Sequence, residues 1–292
     1  MSRREKRLSS FVKSKLLLFL RNLLHTILGK VNLHILRNTT YNQILKELEE
    51  VNNCRYDESR NGFLLKFMPV VENPKKTFKL VLSSKSQLFQ DLFVLEKLNW
   101  KERGYFVEFG ATNGLDLSNT YLLEKEFFWT GILAEPGKNW HKQLRFNRST
   151  YISEKCVWKS SGQMIHFNES VYPEFSTIDH LTHFDGMEKS RSSRDRYFVE
   201  TTTLFDLLEG ANAPNLIDYL SIDTEGSEYE ILKEFEFSKY QFGVITVEHN
   251  HNENEFKIDE LLNKNGYSRV HREVSDFDGW YLHKSLEKNY SQ

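Results

Sequence analysis

This chain lacks most of the features that settle a protein's class quickly. It has two cysteines, Cys54 and Cys156, among 292 residues. They build no disulfide framework and match no zinc-ligand spacing, which suits a reducing compartment. Its longest unbroken apolar run, Leu16–Leu20, is far short of the roughly 20 residues that span a bilayer. No small-residue cleavage site follows that run, so no secretory signal is expected. There is no internal repeat and no low-complexity tract. The GxGxxG fingerprint is missing, which argues against a nicotinamide-dependent oxidoreductase. Disorder is excluded from the other side, because 39% hydrophobic and 14% aromatic residues are enough to build a sizeable core.

Charge is low overall and unevenly placed. The net charge is −2, yet residues 1–37 hold nine Lys/Arg and one acid, Glu5, whereas the other 255 hold 30 Lys/Arg against 40 Asp/Glu. A mildly acidic body excludes a broad nucleic-acid surface. Within the basic segment, Val12, Leu16, Phe19, Leu20, Leu23, Leu24, Ile27, Leu28 and Val31 fall on one side of a helix. That helix could dock on the main domain or on a second copy of the chain, or lie on an anionic membrane surface. The expected location is cytoplasmic, with the membrane surface as the second reading, and residues 1–79 read as this helical extension plus a connector. Phe63–Val70 is expected to be extended.

From residue 80 the pattern is regular. A helix over 86–98, capped by Ser86, precedes strand 105–109, helix 117–127, strand 130–134, helix 138–146 and strand 150–157. A looser polar stretch, Lys159 to Arg196, holds one candidate strand over 163–168. Helix 203–210, strand 216–222, helix 227–235, strand 242–248, helix 254–264 and strands 267–273 and 277–283 follow. Strands alternating with helices of this length make parallel βαβ units with helices on both faces. The last two strands leave no room for a crossover helix, so they must pair antiparallel. A doubly wound, mostly parallel α/β sheet closed by an antiparallel hairpin is the architecture of Rossmann-like class I S-adenosylmethionine-dependent methyltransferases.

The densest signal is Tyr105-Phe-Val-Glu-Phe-Gly-Ala-Thr-Asn-Gly114, an apolar strand running into a glycine-bracketed turn. Glycines let the backbone approach a ligand, and an acid ending the next strand can accept hydrogen bonds from ribose hydroxyls. Glu135, in Ala134-Glu-Pro-Gly137, is that acid; otherwise it favours the N-terminus of the following helix. Glu108 either orients the glycine turn or receives the methionine ammonium of a cofactor. Asp223 ends the strand Asp218–Asp223 on the same sheet edge. It could hold the cofactor's amino group, orient an acceptor hydroxyl or act as general base. His249, after strand 242–248, is the alternative proton acceptor. His249, His251 and Glu253, or His180 and His183, lack a recognised metal spacing, and no metal is expected.

These motifs resemble the FkbM family of S-adenosylmethionine-dependent methyltransferases. Ser86-Gln87 with Gln90–Val94, Phe106–Ala111, Glu135-Pro136, Ser221–Glu228 and Val247–Asn250 follow the family pattern in order, over about residues 84–283. The resembled branch includes proteins similar to the trafficking protein Star. The resemblance implies S-adenosylmethionine bound through Glu108, Gly110, Ala111, Asn113, Gly114 and Glu135, with Asp223 near the sulfonium. It further implies O-methylation of a glycan or related small-molecule hydroxyl; a membrane-associated interaction protein on the same fold is the alternative. The chain departs from the pattern at Thr112, where the family usually has asparagine, and carries its asparagine at 113 with the Gly110–Gly114 spacing kept. Part of Lys159–Arg196, including Tyr172 and Phe175, is expected to contribute to the acceptor site.

Overall fold

The computed structural model describes residues 58–171, 175–181 and 193–287. The helix expected over 11–31, Cys54, Tyr172 and His183 lie outside these residues. The strands carrying the glycine turn form where expected. β1 (Tyr105–Phe109), β2 (Thr130–Ala134), β8 (Leu216–Ile222) and β9 (Gln241–Glu248) pair in parallel. β3 (Tyr151–Ser153) extends the sheet beside β2. On the far side β11 (Asp278–His283) inserts antiparallel between β9 and β10 (Tyr267–Val270). The resulting seven-stranded order is β10-β11-β9-β8-β1-β2-β3.

The central strands are covered on both faces, which is why they read as continuous apolar runs rather than alternating ones. Val107, Ile132, Leu220 and Ile245 are 0% exposed. The crossovers α4 (Tyr121–Phe127), α5 (His141–Asn147), α7 (Glu228–Lys233) and α8 (Asn254–Lys264) supply the covering layers, with α6 (Leu204–Gly210) leading into β8. Thr203 starts α6 by accepting the Asp206 N–H at 3.0 Å, an N-cap bond. The chain leaves β1 toward β2 on one side and sits against β8 on the other. This reversal of strand order opens a crevice at the carboxyl ends.

The helix expected over 86–98 from a Ser86 cap starts instead at Gln90, and the strand expected over 267–273 ends at Val270, with a short helix at Arg272–Ser275 after it. Three longer stretches also differ from expectation. Phe63–Val70 is not extended: α1 (Glu58–Phe67) runs into a 3-10 turn at Met68–Val70. Phe63, Leu64, Phe67 and Met68 are buried, and that spacing matches one face of a helix rather than strand alternation. Phe67 packs edge-on against Trp280 at 6.0 Å and Phe63 against Phe277 at 6.1 Å. α2 (Pro74–Leu80), capped by the Asn73 side chain, and α3 (Gln90–Lys97) complete this layer, and Ser59–Gln292 forms one compact unit.

The strand expected over 150–157 splits into β3 and β4 (Cys156–Val157), which belong to different sheets. The polar stretch after it contains β5 (Met164–Ser170), β6 (Thr177–Ile178) and β7 (Ser193–Thr202), so it is largely a second sheet of order β4-β7-β5-β6. Cys156, Trp158, Phe167, Ile178 and Val199 form its small core. β7 buries one face only, with Val199 and Thr201 in and Phe198 and Glu200 out, which left too weak an apolar signal to read. Among the described residues no helix is long and apolar enough to cross a membrane.

Candidate functional site

A cavity of about 350 Å³ lies at the carboxyl ends of β1, β2, β8 and β9, walled on one side by the second sheet. The glycine turn forms its floor. Gly110 has φ +73, and a Cβ there would lie 1.8 Å from the Asp223 carbonyl oxygen, so β1 and β8 approach this closely only because that residue has no side chain. Thr112, Leu117, Glu225 and Asn250 also line the cavity with left-handed backbones, at φ 44, 60, 59 and 46. Non-glycine residues held there carry strain that the surrounding contacts must sustain.

Glu135 closes one end. It is 5% exposed, and its two oxygens accept the Thr112 N–H at 2.8 Å and the Gly137 N–H at 2.6 Å. Burial pushes its carboxyl up to about 7, against the pull of those two bonds and with added repulsion from Glu169. The second sheet is fastened to this corner. Tyr197 donates to Glu169 at 2.6 Å and accepts the Lys138 N–H at 2.9 Å, while Asn139 also donates to Glu169. Cys156 borders the same space, but burial, reinforced by Glu135, pushes its thiol up to about 12. It is no nucleophile near neutral pH.

Asp223 opens onto the cavity at the end of β8. Withdrawal from bulk water, with repulsion from Asp278, Glu228 and Glu108, pushes its carboxyl up to about 7. An oxygen of Glu248 lies within 4.8 Å of one of its own, and the Glu248 carboxyl is also raised, by burial first and then by Asp223. Two carboxyls this close repel one another when both are ionised, which favours a proton on one of them. Asp223, Glu225 and Glu248 each bring an oxygen within 4.8 Å of the others, as do ligand atoms of His249, His251 and Glu255. Both groups could converge on a cation. The second faces Arg269, whose Nη2 lies 2.9 Å from His249 Nε2.

The structure brings Glu108, Gly110, Glu135 and Asp223 to the cavity, together with Phe175 of the expected acceptor segment. Glu108 lies there with its carboxylate already committed. It accepts the Asn119 N–H at 2.7 Å, the Thr120 hydroxyl at 2.5 Å and the Ser118 hydroxyl at 3.1 Å, and sits 3.6 Å from Arg148. Of its two expected roles, the geometry supports organising the loop after the glycine turn. Ala111, Asn113 and Gly114 stand behind the lining. Asn113 braces the turn by accepting the Leu115 and Asp116 N–H groups, both at 2.9 Å. The displaced asparagine is therefore a loop brace, and position 112 contributes its backbone N–H to Glu135.

His249 is not brought to the cavity, which corrects the expectation that it takes the proton. Its ring is 2% exposed and held between Arg269 on Nε2 and the His251 N–H on Nδ1 at 3.1 Å. Burial, above all, lowers its pKa. Glu225, expected on the same crevice as Asp223, is on the wall, and residues absent from the sequence reading include Asn119, Glu248, Phe167 and Phe277, also there. Ser118-Asn119-Thr120 directly before a helix was the visible signal for Asn119, because such residues mark helix starts and loop contacts.

The lining carries Glu108, Asp116, Glu135, Asp223, Glu225 and Glu248, and no Lys, Arg or His among the described residues. That acceptor set fits S-adenosylmethionine, whose sulfonium and ammonium are cationic and whose ribose carries hydroxyls that a carboxylate can accept from. No curated protein matches the chain. Among solved structures it is similar to the FkbM methyltransferase of Methylobacillus flagellatus KT, at 11% identity and TM-score 0.43, over 82% of this chain. The match spans 59% of that protein's length. A second similarity is to the precorrin-6y C5,15-methyltransferase of Geobacter metallireducens GS-15, at 12% identity and TM-score 0.34, over 66% of this chain and 85% of that one. A third is to a SAM-dependent methyltransferase of Aquifex aeolicus, at 13% identity and TM-score 0.35, over 72% and 97%. These likenesses are too distant to carry an argument. The profile of the Methyltransferase FkbM domain matches residues 108–269, more than half of the chain and all of the cavity's sheet edge from Glu108 to Glu248, so the chain belongs to the FkbM methyltransferase family, and its cofactor is S-adenosylmethionine.

Proposed function

We propose that the protein methylates a hydroxyl group on a glycan or related small molecule. When bound, S-adenosylmethionine supplies an electrophilic methyl group. The chain's own contribution is to hold an acceptor oxygen in line and to take its proton. The observation that carries the reading is the Asp223–Glu248 carboxyl pair facing the cavity with Asp223 raised to about 7. A base matched to neutral pH accepts a hydroxyl proton more effectively than an ordinary carboxylate. A proton held by Glu248 removes its repulsion and favours the ionised form of Asp223. Phe167, Phe175 and Phe277 offer apolar walls suited to the C–H faces of a sugar ring. A lining without basic side chains would not hold a phosphate or carboxylate close to the reacting atom.

The test is transfer of labelled methyl from S-adenosylmethionine to a panel of neutral, acidic and phosphorylated glycans and small alcohols. Label that survives mild alkali, as a methyl ether does and a methyl ester does not, supports the reading. Label confined to carboxylic acids or amines sinks it. Asp223→Asn is expected to lower kcat by roughly 10²–10⁴-fold, with S-adenosylhomocysteine affinity little changed. A matching loss of affinity would make Asp223 a binding residue instead.

A further inference from the structure

Asn119, on the cavity wall, carries an unsatisfied acceptor. The residue is 8% exposed and lines the pocket beside Glu108 and Ser221. Its Oδ1 is enclosed and has no hydrogen-bond partner, although leaving a buried amide oxygen unpaired is costly. The rest of Asn119 is fixed. Its N–H is held by Glu108 at 2.7 Å and its Nδ2 donates to Ser221 Oγ at 2.9 Å. Ser221 in turn hydrogen-bonds the Tyr219 phenol, whose oxygen lies 2.7 Å from Thr246 Oγ1. With its NH2 toward Ser221, the amide leaves its oxygen unpaired at the cavity wall.

One other enclosed acceptor on the lining, Glu248 Oε2, also has no partner. A carboxyl can carry a hydrogen itself, and Glu248 lies close enough to Asp223 to favour a proton on one of the two. An amide oxygen cannot. Asn119 Oδ1 therefore needs a donor from the ligand, and the lining supplies no basic side chain to compete for it.

We infer that Asn119 Oδ1 receives the α-ammonium of the cofactor's methionine portion, a role for which Glu108, with its carboxylate committed to the loop, is not free. This rests on the cofactor being S-adenosylmethionine. Asn119 is a binding residue that sets specificity for the amino-acid end, and the committed carboxylate of Glu108 is its support.

The test is calorimetric titration of wild-type protein and Asn119→Ala with three ligands. S-adenosylhomocysteine has both ammonium and carboxylate, its decarboxylated analogue has the ammonium alone, and 5′-methylthioadenosine has neither. Asn119→Ala is expected to weaken the first two alike, by roughly ten- to a hundred-fold for a lost bond to a charged group, and to leave the third unchanged. Equal loss for all three would make Asn119 structural and overturn the assignment. So would loss confined to the carboxylate-bearing ligand, which would mean the amide presents its NH2 instead, or no loss at all. Failure of folded wild-type protein to bind any of the three takes down the cofactor reading itself, a result distinct from those. Should Asn119→Ala unfold, Ser221→Ala keeps Oδ1 but frees the amide to turn. It is expected to weaken the two ammonium ligands selectively, and unchanged affinity for both would overturn the assignment.

Discussion

Glu135 shows how one residue can be legible in a sequence for one reason and work for several. Its place at the end of the second strand marked it as the ribose acid. Its hold on the Thr112 and Gly137 N–H groups, which fixes the shape of the turn, was not visible. Glu135→Gln offers one oxygen where two are needed and turns an NH2 toward one of those N–H donors. It is expected to cost about 1–3 kcal/mol of stability and to weaken S-adenosylhomocysteine at least about tenfold, as read by thermal unfolding and calorimetry. Unchanged affinity would remove Glu135 from the ribose site. Glu108 and His249 show the limit from the other side. Both are residue types with the right chemistry at the right sheet edge. Whether a side chain is available depends on what folds against it, here Ser118, Asn119, Thr120 and Arg148 for Glu108, and Arg269 for His249. None of those partnerships follows from spacing along one strand.

At the scale of elements, the site depends on how closely β1 and β8 approach. Gly110→Ala would put a methyl against the Asp223 carbonyl at φ +73. The strands must then separate or the turn must refold. The left-handed backbone alone costs about 1–2 kcal/mol, so the loss in urea unfolding is expected to exceed about 2 kcal/mol, with cofactor binding abolished. A variant of wild-type stability would show that the strands do not need this approach. The sequence disclosed the elements whose apolar pattern is continuous or cleanly periodic: β1, β2, β8 and α8 have the expected bounds to within a residue. It disclosed poorly the elements that are half exposed or locally broken. β7 alternates polar and apolar residues on a small sheet, and the two residues between β3 and β4 divert one apolar run into two sheets. α1 was obscured by Gly62 and Pro69, although its helical spacing of Phe63, Leu64, Phe67 and Met68 was present. The wall facing the cofactor edge is built from these less legible pieces, so the acceptor side was harder to read than the cofactor side.

At the scale of the whole molecule, the acidic cavity links stability, pH and ligand. Glu135 and Asp278, both buried, are pushed up to about 7 with burial the leading cause, and Asp223, exposed at the cavity among other carboxyls, is raised with them, from values near 4 in an unfolded chain. Between those limits the folded protein binds more protons than the unfolded one, so these groups make stability fall as pH rises, and the loss is complete once they are ionised in both states, near pH 8. His249 and His271 have lowered values, burial again leading, and act in the opposite sense. They favour the fold as pH rises, but only up to about 6.5, where both are neutral in either state. Above about pH 6.5 the carboxyls act alone, and the melting temperature of ligand-free protein is expected to decline toward about pH 8. A bound cation favours the ionised carboxyls, so binding near pH 7 must expel protons. Titrations in buffers of different ionisation enthalpy are expected to show that release. It should be larger for S-adenosylmethionine, which carries the sulfonium, than for S-adenosylhomocysteine, which keeps the ammonium and lacks the second positive charge. Proton uptake, or equal release by the two ligands, would mean that the raised carboxyls do not face the sulfonium. Asp223 would then lose the placement on which its role as base depends.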